Sequence, residues 1–287
     1  MIRLGLIGFP LDHSFSQGLH ERALRTSGLE GTYRLWEVPP LPRGREKLLG
    51  ILDLLREEKI RGINVTIPHK ESILPFIDRL TPTAWAVGAV NTLYLHPDRG
   101  WLIGENTDSP GFWADAQRGL GQGEDGGERR ALVLGAGGAA RAVIHALITR
   151  GWSVCVAARR TSQAECVSRH FAGQGRAVDA CHLSEQVWCG MEDCRLIVNA
   201  TPVGMAPDTD CSPWPSTWEF PRTGMVYDLV YNPPQTEFMK QAEEQGLEVR
   251  NGSGMLVEQA ALAFRYWTGV EPPRKELLDV IHSKAAE

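Results

Sequence analysis

The run Gly135-Ala136-Gly137-Gly138-Ala139-Ala140 constrains this chain more than any other feature. It follows an apolar stretch, Ala131–Leu134, and opens a segment, Ala139–Thr149, whose apolar residues recur with a helical period. Strand, glycine turn and helix in that order make the phosphate-binding turn of a dinucleotide-binding βαβ unit, in its permitted form G-x-G-x-x-A. Gly135 permits the tight turn, Gly137 lets the backbone approach a pyrophosphate, and Ala140 lets the helix pack close to the sheet. Free N–H groups at the helix start, aided by the helix dipole, then hold the anion. A plain glycine-rich strand–helix turn is the competing explanation.

The next strand, Ser153–Ala157, bears on which dinucleotide. In NAD-binding units an Asp or Glu ends this strand and accepts from the ribose 2′-OH. Here the end reads Ala157-Ala158-Arg159-Arg160-Thr161-Ser162, with no acid. Guanidinium and hydroxyl groups suit a 2′-phosphate, so the expected cofactor is NADP. Two solvated loop arginines would look the same in isolation.

Composition excludes other classes. Apolar residues make up 43% and charged residues 23%, so the chain is globular rather than disordered. The formal net charge of −5 argues against nucleic acid or an anionic membrane as partner. No apolar run reaches the roughly 18–20 residues of a membrane span. The N-terminal Met1–Gly8 is too short for a signal peptide and reads as a first strand. The six cysteines lack CxxC spacing, and the histidines show no HExxH. Free thiols in a reducing cytoplasm, and no metal, are the expectations.

Short strand-like runs alternate with helix-period segments along the whole chain, the pattern of βαβ units and a mainly parallel α/β sheet. Strands are expected at 3–8, 32–38, 62–66, 92–95, 101–104, 131–134, 153–157, 196–199, 225–229 and 248–250. Helices are expected at 16–27, 46–57, 109–118, 139–149, 254–267 and 274–284. Gly119–Gly127 is glycine-rich and polar and reads as an exposed connection. The segment Pro207–Pro221, rich in Pro and Trp, reads as an irregular loop.

A dinucleotide turn does not specify a reaction. Three polar clusters in the first third sit at strand ends: His13-Ser14-Phe15-Ser16, then Asn64-Val65-Thr66-Ile67-Pro68-His69-Lys70, then Asn91-Thr92 with Asn106-Thr107-Asp108. Parallel sheets bind ligands at such ends, and these hydroxyls, amides, ammonium and carboxylate would fit a small polyhydroxylated acid. Each has a plain structural reading as well. Ser16 fits a helix N-cap, Asn64 and Thr66 fit outward strand positions, Asp108 fits a helix cap, and Lys70 fits a surface lysine.

The motifs HSFS, NVTIPHK, GAVNT, the NTD at 106–108, GAGGAAR, NATPVGM, YDLVYNPP and GSGMLVEQ occur in this order between about Gly5 and Trp267. In that order they resemble the shikimate dehydrogenase family, bacterial-type and NADP-dependent. The resemblance implies a two-domain α/β fold with the active site in the cleft between the domains. Residues 1–109 and 252–287 would form the substrate-binding catalytic domain, and 110–251 a Rossmann-type NADP-binding domain. It implies reversible reduction of 3-dehydroshikimate to shikimate, a step of chorismate and aromatic amino-acid biosynthesis, in a cytoplasmic monomer or homodimer. Lys70 matches the catalytic lysine, and Asp108 its carboxylate partner. Ser14, Ser16, Thr66, Asn91, Asp108, Tyr231 and Gln259 match substrate-holding positions. Gly135, Ala136, Gly137, Gly138 and Ala139 match the pyrophosphate loop, and Arg159, with Arg160 beside it, the site of the adenosine phosphate. Leu229 and Gly252 match positions near the nicotinamide, with Met205 at its flank.

Departures from the family pattern are Gln17 and Glu21 in place of Pro and Asn, Ala158 and Arg160 around Arg159, and Asn251 in place of Asp before Gly252. None touches Lys70 or Asp108. A quinate or dual quinate/shikimate dehydrogenase is the nearest rival. A non-catalytic NADP-binding sensor is a rival of another class, and it would have no use for the Lys70–Asp108 pair.

Overall fold

The computed structural model describes residues 1–12, 14–120, 129–184 and 193–284. His13, and residues 121–127 of the glycine-rich stretch, lie outside them. The chain divides into two compact units, one made of Met1–Gly111 and Val257–Glu287, the other of Phe112–Leu256.

The first unit carries β1 (Ile2–Gly8), α1 (Ser16–Thr26), β2 (Gly31–Glu37), α2 (Arg45–Arg56), β3 (Gly62–Val65), α3 (His69–Ser72), β4 (Arg79–Leu80), α4 (Pro82–Val87), β5 (Thr92–Leu95) and β6 (Leu102–Glu105). Its sheet has the order β2-β1-β3-β5-β6-β4. β1 pairs in parallel with β2 and β3, whereas β5 runs antiparallel to β3 and β6. Ile7, Ile63, Val65 and Leu93 from the strands pack on Leu48, Leu52 and Leu55 of α2. α2 buries these leucines because they fall on one stripe at helical spacing.

α5 (Asp108–Ala116) and α9 (Ser253–Thr268) each contain a boundary between the units. The end of α9 belongs to the first unit, where Trp267 Nε1 donates to the Leu93 carbonyl at 3.0 Å and Arg61 Nε donates to the Trp267 carbonyl at 3.0 Å. α10 (Arg274–Lys284) joins it there, through an ion pair between Glu276 and Arg22 of α1.

The second unit carries β7 (Arg130–Leu134), α6 (Gly138–Ile148), β8 (Ser153–Ala158), α7 (Thr161–Ala172), β9 (Asp179–His182), β10 (Leu196–Asn199), β11 (Met225–Asp228), α8 (Glu237–Glu244) and β12 (Glu248–Asn251). All six strands are parallel, in the order β12-β11-β10-β7-β8-β9. Counted from β7, this is the 3-2-1-4-5-6 order of a dinucleotide-binding sheet. Both faces are covered, so the inner strands β7, β8, β10 and β11 read as mainly apolar runs, while the edge strands β9 and β12 are polar. Ala131 and Val133 pack on one face with Val143 and Leu147 of α6, while Leu132 and Leu134 pack on the other.

That second face accounts for the Pro- and Trp-rich segment. Trp214 is 1% exposed, stacks on Phe220 at 4.9 Å and meets Trp218 edge-on at 5.2 Å. With Phe238 of α8, these rings cover β10 and β11, so the segment is irregular, as expected, and packs its aromatic rings into the core.

Candidate functional site

In the first unit the polar clusters lie at the ends of neighbouring strands, and hydrogen bonds join the second to the third. β1 and β3 lie side by side, and the Thr66 N–H donates to the Ile7 carbonyl at 2.9 Å, which continues the pairing past Val65. Ser14 and Ser16 follow β1 and are partly buried; the Ser14 hydroxyl accepts the Ser16 N–H at 3.3 Å. Lys70 does not project from β3 itself. Pro68 is followed by the single helical turn α3, and Lys70 is its second residue.

From that turn the Lys70 ammonium reaches the Asp108 carboxylate at 2.7 Å, with the two side chains 15% and 6% exposed. Asp108 begins α5, yet its carboxylate does not cap the helix. Asn106 takes that role, its Oδ1 accepting the Ser109 N–H at 3.0 Å. Asp108 is left to face Lys70 through Oδ2 and Asn91 through Oδ1, the latter at 2.8 Å. Asn91 Nδ2 also donates to Thr107 Oγ1 at 2.9 Å and to Gln259 Oε1 at 3.4 Å. The orientation of Asn91 is set by the Thr107 N–H, which donates to its Oδ1 at 2.8 Å. Lys70, Asp108, Asn91 and Gln259, scattered over 189 positions of the sequence, thus form one hydrogen-bonded group.

Behind this group lies a layer that sequence reasoning missed. Tyr33 donates to Asn64 Oδ1 at 2.9 Å, and Asn64 Nδ2 donates to the Asn91 carbonyl at 3.1 Å. Asn64 is therefore a buried tie between β2, β3 and β5 rather than an outward strand residue. The Tyr33 phenol is pushed well above its usual range by burial, so it stays a donor. His20 stacks on it at 4.5 Å with the rings 5° from parallel, and burial pushes its imidazole down to about 3. The period-2 pattern of β2 marks Tyr33 as inward, but nothing in the sequence names its partner.

In the second unit the glycine turn lies between β7 and α6. Gly135 has φ +105°, and a Cβ there would meet the Ala200 backbone and Thr201 at about 3 Å, so this turn requires glycine. Gly137 is the N-cap of α6, and a Cβ on it would meet nothing within 4 Å. The helix start, with Gly138 and Ala139, therefore opens onto free space that a pyrophosphate can occupy against bare N–H groups. Ala136 precedes it on the same turn. Arg159 and Arg160 are both exposed directly after β8, the strand beside β7, and Arg160 precedes the first turn of α7. These residues fit a dinucleotide with an anionic group on its adenosine ribose.

Leu229 and Tyr231 follow β11, and Gly252 follows β12, all within this unit; Met205 is 40% exposed in the loop after β10. Gln17 donates to Glu21 at 3.0 Å on the exposed side of α1, so this departure from the family pattern forms its own i,i+4 pair.

Residues 6–93 match the family described as "Shikimate dehydrogenase substrate binding domain", and residues 252–281 match "Shikimate 5'-dehydrogenase C-terminal domain". The chain is 38% identical over 280 residues to a shikimate dehydrogenase (NADP(+)) of Carboxydothermus hydrogenoformans, covering 96% of this chain and 95% of that one. Among solved structures, a shikimate dehydrogenase in complex with NADP+ superposes with a TM-score of 0.89 at 33% identity, covering 100% of this chain and 96% of that one. The Thermus thermophilus shikimate 5-dehydrogenase in complex with NADP(H) and shikimate superposes with a TM-score of 0.83 at 39% identity, covering 99% of each chain.

Proposed function

The chain belongs to the shikimate dehydrogenase family, and on that premise we propose that it catalyses the NADP-dependent, reversible reduction of 3-dehydroshikimate to shikimate. The first unit holds the substrate and the second holds NADP. The observation that carries the reading is the Lys70–Asp108 pair at 2.7 Å, braced by Asn91, which also donates to the Thr107 hydroxyl.

Bound NADPH supplies the hydride; the protein's share is orientation and the proton. The Lys70 ammonium has three N–H groups, and Asp108 takes one. The others are left to give a proton to the carbonyl oxygen as negative charge develops there. In the reverse direction the lysine amine takes the proton from the hydroxyl. Asp108 fixes the lysine, and its own position is held by Asn91. Ser14, Ser16, Thr66, Asn91, Asp108, Tyr231 and Gln259 hold the hydroxyls and carboxylate of the ring. Gly135 to Ala139 hold the pyrophosphate, Arg159 and Arg160 the 2′-phosphate, and Leu229 and Gly252 lie at the nicotinamide.

The reading extends to a cytoplasmic enzyme, monomeric or homodimeric, acting on a small molecule. Two facts support the compartment: no described helix is long and apolar enough to cross a membrane, and the described cysteines are all free. Initial rates with shikimate and quinate, each with NADP and NAD, test the activity on purified protein. Shikimate with NADP should give the highest kcat/KM. Faster turnover of quinate, or of NAD, would replace this reading with that of the quinate enzyme.

A further inference from the structure

Three polar side chains stand in one row at the carboxyl ends of β10, β11 and β12. Asn199 pairs in register with Asp228, and Asp228 with Asn251. Each ends its strand, and each ties down the loop that follows. Asn199 Oδ1 accepts the Thr201 N–H at 3.0 Å and hydroxyl at 2.7 Å, while its Nδ2 donates to the Val203 carbonyl at 3.2 Å and to Asp228 Oδ1 at 2.9 Å. Asp228 Oδ1 also accepts the Val230 N–H at 3.0 Å, and Oδ2 accepts the Thr236 hydroxyl at 2.7 Å. Asn251 Oδ1 accepts the Ser253 N–H at 3.0 Å, and its Nδ2 donates to the Pro234 carbonyl at 2.8 Å.

Asp228 is the centre of this row and its only charged member. It is wholly buried, and its described contacts are donors rather than a cation. Burying a carboxylate without a cation is costly, and three donors offset that only in part. Packing alone would be served by an apolar residue. What the carboxylate adds is an acceptor that gathers the loop after β11 and ties it to Asn199, which in turn holds the loop after β10.

The loops it gathers stand in a definite place. The adenosine side of a dinucleotide lies over β7 and β8, where the glycine turn and Arg159 are. In a sheet of this order the other half crosses the switch point between β7 and β10. It must then meet the carboxyl ends of β10, β11 and β12. There Leu229 N–H donates to the Asn199 carbonyl at 2.9 Å, and Gly252 N–H to the Val230 carbonyl at 3.1 Å. A Cβ at Gly252 would lie 2.1 Å from the Leu229 carbonyl, so the two loops interlock.

We propose that Asp228 is a positioning residue whose carboxylate shapes loops 199–205 and 228–236 to receive the nicotinamide half of NADP. This rests on the NADP-binding function proposed above. Burial raises the Asp228 pKa to about 6 against the hydrogen bonds of Thr236, Val230 and Asn199. The groups that donate to it are uncharged, Asn199 from β10 with the Val230 N–H and the Thr236 hydroxyl from the loop, and so is Asn251, its register neighbour on β12.

The test uses the full chain, with Asp228→Asn and Thr236→Val as variants. Dissociation constants are measured for NADP+ and for 2′-phospho-ADP-ribose, the same molecule without the nicotinamide. Their ratio cancels the titration of the shared phosphates. At about pH 7.5, Asp228→Asn should weaken NADP+ about tenfold, roughly the effect of one lost charged hydrogen-bonding group. It should change 2′-phospho-ADP-ribose by less than about twofold. In the wild type the NADP+ advantage should fall as the pH drops through about 6, and in Asp228→Asn it should be flat. Thr236→Val removes a donor that lowers the Asp228 pKa, so it should move that inflection upward. An unchanged ratio in Asp228→Asn, or equal loss of both ligands, overturns the proposal. So does an inflection that Thr236→Val leaves in place. NADP+ binding without shikimate oxidation would overturn the proposed activity instead, and the ratio would still decide the role of Asp228.

Discussion

His20 offers a prediction whose size is set mainly by burial, against a smaller opposing effect of Asn64. Its ring is 1% exposed and lies against Tyr33, Trp267 and Phe264, with centroids 4.5, 5.2 and 6.4 Å away. Burial pushes its pKa from 6.5 to about 3, so the folded protein keeps it neutral across ordinary pH. The unfolded chain protonates it below about 6.5. Between about pH 6.5 and 3 the unfolded state therefore binds one more proton, and stability falls as the pH falls. The slope is about 1.4 kcal/mol per pH unit, which comes to about 2 kcal/mol by pH 5. His20→Phe keeps a flat ring in the stack and removes the titration. Urea unfolding of both proteins between about pH 7.5 and 5, extrapolated linearly, gives the difference in stability. Every other titrating group cancels in that difference. It should be constant above about pH 6.5 and then move by about 2 kcal/mol against the wild type by pH 5. Parallel curves would show that His20 takes up its proton in the folded protein, and the argument from burial would fail.

Lys70→Ala should lower kcat by about 10² to 10⁴, the usual contribution of a general acid–base group, with a much smaller change in the KM for shikimate. Turnover within about threefold of wild type would sink the assignment, since that is under 1 kcal/mol of barrier. Arg159→Ala should raise the KM for NADP by about one to two orders of magnitude and leave NAD nearly unaffected, if the exposed guanidinium has the role proposed above and pairs with the 2′-phosphate. Equal losses with both cofactors would assign Arg159 to the adenine or the fold. Gly137→Ala places a methyl where no atom lies within 4 Å, so melting should shift little, while NADP binding should weaken at least about tenfold. Unchanged binding by isothermal titration would show that the open space above α6 is not the pyrophosphate site.

The glycine turn and the basic end of β8 were legible because each is a local matter: one backbone conformation, one strand end. Gly135 at φ +105° and the exposed Arg159 stand where the strand–turn–helix reading expects them. Other short elements escaped for lack of pattern. α3 has four residues and β4 two, too few for any period to register. α4 is a different case, since its signals were present: Thr81 caps it through the Ala84 N–H, Pro82 opens it and Gly88 closes it at φ 70°.

The site residues divide along the same line. That Lys70, Asp108 and Asn91 are polar residues near strand ends could be read directly, but their joining depends on α3 turning Lys70 back and on Asn106 freeing Asp108 from capping. The Tyr33–Asn64 bond spans 31 positions and two strands, and no spacing rule reaches that far. Asn251 shows what register adds. In the sequence it stands only as a departure from the family pattern that does not touch Lys70 or Asp108. Its Oδ1 accepts the Ser253 N–H as an aspartate would, but its Nδ2 donates to the Pro234 carbonyl, which an ionised aspartate cannot do. An aspartate in that place, half-exposed at the sheet edge, would also stand beside the buried Asp228 in register, like charge against like charge. The amide therefore gains a tie to the 228–236 loop and spares Asp228 a charged neighbour, a consequence that becomes visible only once β11 and β12 are seen side by side.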